Sequence, residues 1–142
     1  MINDLKTGII TALKAAFPDV PVYREPVSQG IEEPSFSVRC VKPERNLFRG
    51  KRYYEDDLFE IVYFPPVINR YQNSNETVET LFDCLEVITL SDSTTIRGKD
   101  MKAHTAEDYT VVFTVRYSDF MYREENPDMM TDLTENSVEP VN

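Results

Sequence analysis

Two hydrophobic periods divide the chain. Over residues 2–17 apolar side chains recur every three or four positions, at Ile2, Leu5, Ile9, Ala12, Leu13 and Ala16. Asp4, Lys6, Thr11 and Lys14 fall between them, so the spacing predicts an amphipathic helix, which Pro18 stops. A second helix is predicted from about Asn73, where Asn73 and Glu76 make a capping box and Ser74 or Asn75 are alternative caps. Val78, Leu81, Phe82, Leu85 and Ile88 form its apolar stripe, with Glu76, Glu79, Asp83 and Glu86 as a solvated face opposite.

Elsewhere the period is two. Phe36, Val38 and Cys40 alternate with Ser35, Ser37 and Arg39, which predicts a half-buried strand over 35–41. Residues 52–64 are rich in aromatic and β-branched side chains and end at Pro65-Pro66, where two missing donors stop a ladder. The far half of that strand is apolar on both faces, with Phe59, Ile61 and Tyr63 one way and Leu58, Val62 and Phe64 the other. Such a strand sits centrally and needs a cover on each face, or a partner subunit on one. Its near half carries Glu55, Asp56 and Asp57, which must reach water or a cation. Tyr109, Val111, Phe113, Val115 and Tyr117 share a face of the clearest strand, 109–118, which extends toward 120–122. A weaker strand is predicted within 94–106, interrupted at Gly98, and Val22–Arg24 is a short extended piece. The expected fold is α+β: an antiparallel or mixed sheet of about four strands with two helices packed on one face. Residues 1–125 form a single domain in this reading.

Charge sharpens two segments. The chain of 142 residues has a formal net charge of −10, which argues against binding nucleic acid or a membrane through its whole surface. Yet from Arg39 to Arg52 six basic residues face one acid, Glu44, across a hairpin tip predicted over 42–52 with its turn at Gly50. A solvated hairpin explains this; so does a docking surface, which Leu47 and Phe48 at the apex favour. Arg45, Leu47, Phe48, Arg49, Lys51 and Arg52 are therefore candidate interface residues. Residues 126–142 read as an acidic arm, mobile in isolation, in which Met129, Met130 and Leu133 would order against a neighbour.

Conventional chemistry is not declared. Four glycines, none clustered, provide no phosphate loop, and one histidine with two distant cysteines assembles no metal pattern. His104 reads as an edge or surface residue, and Cys40 and Cys84 as small buried hydrophobes. Glu55 and Asp57 share a strand face, too little for a metal or glycosidase site. No catalytic residue and no cofactor is expected. No apolar run approaches a membrane span, and the start of the chain lacks a signal-peptide pattern, so synthesis in the cytoplasm is the expectation.

Several segments carry a resemblance in their order and spacing: Ala16 to Tyr23, Gln29 to Phe36, Arg52 to Pro65, Ile96 to Lys102, and Phe113 to Arg123. Over about residues 2–123 the chain resembles the tail terminator proteins of bacteriophages and of phage-derived contractile particles in Gram-positive bacteria. That resemblance implies a small α+β subunit closing into a ring, typically a hexamer, on the head-proximal end of the tail tube. There it would stop tube polymerisation and meet the neck or connector, touching the last sheath ring in contractile particles. The implied setting is the bacterial host cytoplasm during assembly, then the particle's tail. DNA would pass through at most. Ring closure needs unlike patches to meet, which the basic tip and acidic arm provide; Glu55 and Asp57 would line the lumen. A head–tail joining or completion protein, a monomeric adaptor and a small hydrolase are the rival readings.

Overall fold

The computed structural model describes residues 2–25 and 32–122. Helix α1 spans Ile2–Ala16, as the apolar stripe requires, and buries Leu5, Ile9, Ile10 and Leu13. Each such side chain contributes up to about 1.5–3 kcal/mol on burial. Strands β1 (Val22–Tyr23), β2 (Ser35–Arg49) and β3 (Arg52–Phe64) precede helix α2 (Arg70–Cys84). Strands β4 (Val87–Thr89), β5 (Thr95–Thr105) and β6 (Val111–Tyr122) follow it. The strands form one sheet in the order β1-β2-β3-β6-β5-β4. The pairing is mixed: β1 lies parallel to β2, with Val22 opposite Phe36, whereas β5 runs antiparallel to both β4 and β6.

The α+β class holds, but the sheet has six strands rather than about four. β4 is three residues long and includes Ile88, expected on α2; the helix ends sooner, at Cys84. It also starts sooner. Asn69, in the left-handed conformation (φ 59°), precedes its first turn and makes no side-chain cap. The expected capping box therefore does not form; the Asn73 side chain instead accepts a hydrogen bond from the Tyr63 hydroxyl. β2 runs well beyond residue 41, so the expected long tip is a strand pair with a tight turn at Gly50 and Lys51. Pro43 is tolerated because β1 accompanies β2 only at Phe36 and Ser37, leaving an open edge farther along.

Contacts divide the chain into a larger unit, Met1–Glu44 with Asp56–Asp119, and a smaller one built on Arg45–Glu55 and Phe120. In the larger unit both helices bury their stripes with one set of strand residues, including Phe36, Phe59, Ile61, Phe113 and Val115. Phe36 contacts Phe17 and Tyr63, and Phe82 meets Phe113 edge-on. The Tyr117 hydroxyl, fully buried, donates to the Leu85 carbonyl at 2.6 Å. Gly98 lies in β5 rather than interrupting it; the irregularity falls between Lys99 and Lys102. On β3 only the face of Phe59, Ile61 and Tyr63 is fully covered, whereas Leu58, Val62 and Phe64 are half-buried. Cys40 and Cys84 pack at the margin of the core, half-buried, and burial pushes the Cys84 thiol up to about 11.

Candidate functional site

No convergent set of catalytic groups occurs among the described residues. His104 is exposed on β5, opposite Val112. No cluster of three His, Cys, Asp or Glu side chains able to hold a metal exists among the described residues. What the chain presents is surface, in two patches.

The first is the hairpin. Pairing β2 with β3 through a two-residue turn puts Leu47 and Phe48 at 63% and 57% exposure, flanked by exposed Arg49, Lys51 and Arg52. Phe48 and Tyr54 both contact the Phe120 ring, at 5.1 and 5.3 Å between centroids, and the Arg52 guanidinium stacks 4.9 Å over it. This aromatic cluster gives the hairpin a fixed shape, since edge-to-face and cation–π contacts each favour one geometry. Arg45 is committed differently: it grips the Glu55 carboxylate with two donors, at 2.9 and 3.1 Å. Glu55 is 2% exposed and Asp57 is fully buried, so neither acid lies on the chain's own surface. The cation that this end of β3 requires comes, for Glu55, from ten residues back across the turn. Met129, Met130 and Leu133 lie outside the described residues.

The second patch lies between the strand predicted to end at Pro65-Pro66 and the helix predicted from about Asn73, outside the predicted interface residues. Val67 and Ile68 are each 75% exposed, and Tyr71 is 63% exposed on the first turn of α2. Arg70 braces this bend: it donates to the Asp108 and Pro66 carbonyls and lies 3.6 Å from the Glu33 carboxylate. Ser74, buried, donates to the Tyr109 carbonyl. Tyr109 was expected on the core face of β6, but its φ of 67° takes it out of the strand and onto the surface. There its ring meets Tyr71 edge-on at 5.5 Å. The backbone N–H and hydroxyl of Thr110 hold the Asp108 carboxyl below its ordinary range, fixing the turn that aims Tyr109 outward. Val67-Ile68 between Pro66 and Asn69 was the available signal: an apolar pair in a loop with nothing local to cover it.

From this patch an open groove of about 700 Å³ runs between α2 and β5, lined by Tyr71, Glu76, Val78, Glu79, Ala103 and Thr105 among others. Its floor is apolar and its rim acidic. Glu76 and Glu79 are exposed, and among the described residues no Lys or Arg lines the groove.

On the sheet face opposite the helices, Asp56 accepts from Arg116 at 3.0 Å and from Ser118 at 2.6 Å, and Arg39 pairs with Glu60 at 2.9 Å. These bridges are partly exposed and contribute at most modestly to stability.

A family model described as phage tail terminator protein matches residues 4–129. No curated protein matches. One solved structure whose name states no function aligns with a TM-score of 0.51 at 14% identity, covering 87% of this chain and 94% of that one. At that identity the likeness speaks for the fold alone.

Proposed function

This chain belongs to the phage tail terminator family, with a structural part in tail assembly, and on that premise we propose that it forms a ring on the head-proximal end of the tail tube. The ring, a hexamer of this chain, ends tube polymerisation and joins the tube to the neck; where a sheath is present it also meets the last sheath ring. Its partners are further copies of itself, the tail tube protein, and neck or sheath proteins, brought together in the bacterial host cytoplasm. DNA slides through the ring without sequence-specific contact. A net charge of −10 suits such a passage, because acidic walls make no counterion-releasing contacts with phosphate.

The observation that supports this reading best is the hairpin apex. Leu47 and Phe48 stand exposed on a strand pair whose shape is fixed by Phe120, beside Arg49 and Lys51, for which no ion pair occurs among the described residues. A lone globule gains nothing from such an apex; a subunit that must meet a different patch on its neighbour does. The test is tube length. Tube protein polymerised with the purified chain should stop at defined lengths, with the chain located at one end by electron microscopy. Tubes that grow equally long with and without it would end the capping role.

A further inference from the structure

We propose that the groove between α2 and β5 receives the β2–β3 hairpin of an adjacent copy of this chain. The inference rests on the ring reading above and names the two unlike patches that close it. Complementarity of chemistry carries it. The hairpin offers two exposed apolar side chains, Leu47 and Phe48, next to Arg49 and Lys51, for which no ion pair occurs among the described residues. The groove offers an apolar floor of Val78 and Ala103 with the Tyr71 ring at one end, and Glu76 and Glu79 along its rim.

Each surface lacks what the other supplies. Arg45 and Arg52 beside the hairpin and Arg70 beside the groove are already engaged, by Glu55, by the Phe120 ring and by the Asp108 carbonyl. Arg49 and Lys51 therefore remain to meet Glu76 and Glu79, while Phe48 and Leu47 cover the floor. Neither patch has to reshape. Arg70, Ser74 and the αL residues Asn69 and Tyr109 fix the groove's aromatic end; Phe120, against Phe48 and Arg52, fixes the hairpin's tip. Made once between each pair of neighbours, as the ring reading requires, the contact is head-to-tail, and repeating it either closes a ring or continues as a filament. The acidic arm of residues 126–142 is the competing acceptor for the same cations.

Charge reversal with rescue tests this in the full-length chain. Glu76→Lys with Glu79→Lys makes a groove variant, and Arg49→Glu with Lys51→Glu makes a hairpin variant. All four side chains are exposed, and both variants should melt as the wild type does. Each alone should self-associate at least about tenfold more weakly, by light scattering or, if rings form only on tubes, by capping titre. Mixed in equal amounts they should assemble again in alternation, since the groove variant's intact hairpin meets the hairpin variant's intact groove, and the reversed hairpin meets the reversed groove. A groove variant that associates like wild type, or a mixture that stays apart, overturns the contact. So does a chain ending at Asn126 that loses association while the groove variant keeps it, for the arm would then be the hairpin's partner. Wild-type protein that never caps tubes sinks the capping reading instead, so the two failures are distinguishable.

Discussion

Replacing Gly98 with alanine should cost this protein about a fifth or more of an ordinary domain's stability, and the structure shows where the cost arises. A methyl group there would sit 2.7 Å from Val115 Cγ2, 3.0 Å from the Leu85 carbonyl oxygen and 3.3 Å from Tyr117 Cε1. None can retreat easily. Val115 is fully buried and stiff at χ1, and the Leu85 oxygen is fixed by the Tyr117 hydroxyl at 2.6 Å. Gly98 is itself tied down, its N–H donating to the Glu86 carbonyl at 2.6 Å. Overpacking of this kind costs about 1–3 kcal/mol, and displacing the Leu85 oxygen from the Tyr117 hydroxyl would add about 1 kcal/mol or more. Against this, alanine in extended backbone recovers about 0.5–1 kcal/mol of chain entropy. The net loss is about 2–3 kcal/mol. With an unfolding entropy of about 2.1 cal/mol/K per residue over roughly 120 folded residues, the midpoint should fall by about 10 °C. Circular dichroism melts at fixed low concentration would measure it, since association would otherwise shift the midpoint. Val115→Ala supplies the control. It costs about 2 kcal/mol alone by leaving a cavity, but removes the closest clash, so the double variant should lose at least about 1 kcal/mol less than the two single losses combined. A Gly98→Ala melt at or above wild type, or strict additivity with Val115→Ala, would refute the reasoning.

Two further outcomes follow from buried groups. Arg45→Ala strips the described partner from a carboxylate that is 3% exposed and should destabilise by about 1–2 kcal/mol, less than a fully buried pair because Arg45 is itself half in water. In a Glu55→Gln background the same change should cost under about 0.5 kcal/mol in urea melts; equal costs in both would show the ion pair to be irrelevant. Cys84, whose thiol burial pushes up to about 11 from 9.0, favours the protonated form when folded. The unfolded chain thus binds fewer protons between those values, and stability falls as pH rises from about 9 toward 11. Cys84→Ala should flatten part of that alkaline decline. Parallel decline in both proteins, followed by thermal midpoint against pH, would rule the thiol out.

Periodicity made the core legible. The helical stripe of α1 and the two-residue alternation of β2, β3 and β6 chose most of the side chains that the structure buries, because one face of each element meets a single apolar layer. What failed were places where the backbone leaves its usual region. Tyr109 continues the alternation of β6 on paper, yet φ 67° turns it outward, a choice made by the Asp108–Thr110 turn rather than by hydrophobicity. The start of α2 was misplaced because Asn69 ends the preceding bend in the left-handed region and caps with backbone alone. β4 was lost because three residues are too few for any period, and β2 was cut short because its outer half is exposed and has no pattern to follow.

The surface was legible only where charge marked it. Six cations against one acid pointed to the hairpin, but not to the division of labour within it, where Arg45 turns inward to Glu55 while Arg49 and Lys51 stay outside. That division was latent in the alternation, for Glu55 stands in register with Asp57, Phe59, Ile61 and Tyr63 on the covered face of β3. A buried carboxylate demands a cation, and a tight hairpin brings one from the opposite strand. The groove was not legible, since α2 and β5 meet only through the sheet order and their residues are some thirty apart. The net charge of −10 and the local cations then serve different ends. Beyond about 10 Å salt largely screens the repulsion between like-charged subunits; closer in, their acidic surfaces repel and only correctly matched patches attract. On the proposed reading such a subunit would resist indiscriminate association yet keep the one directed contact of hairpin and groove.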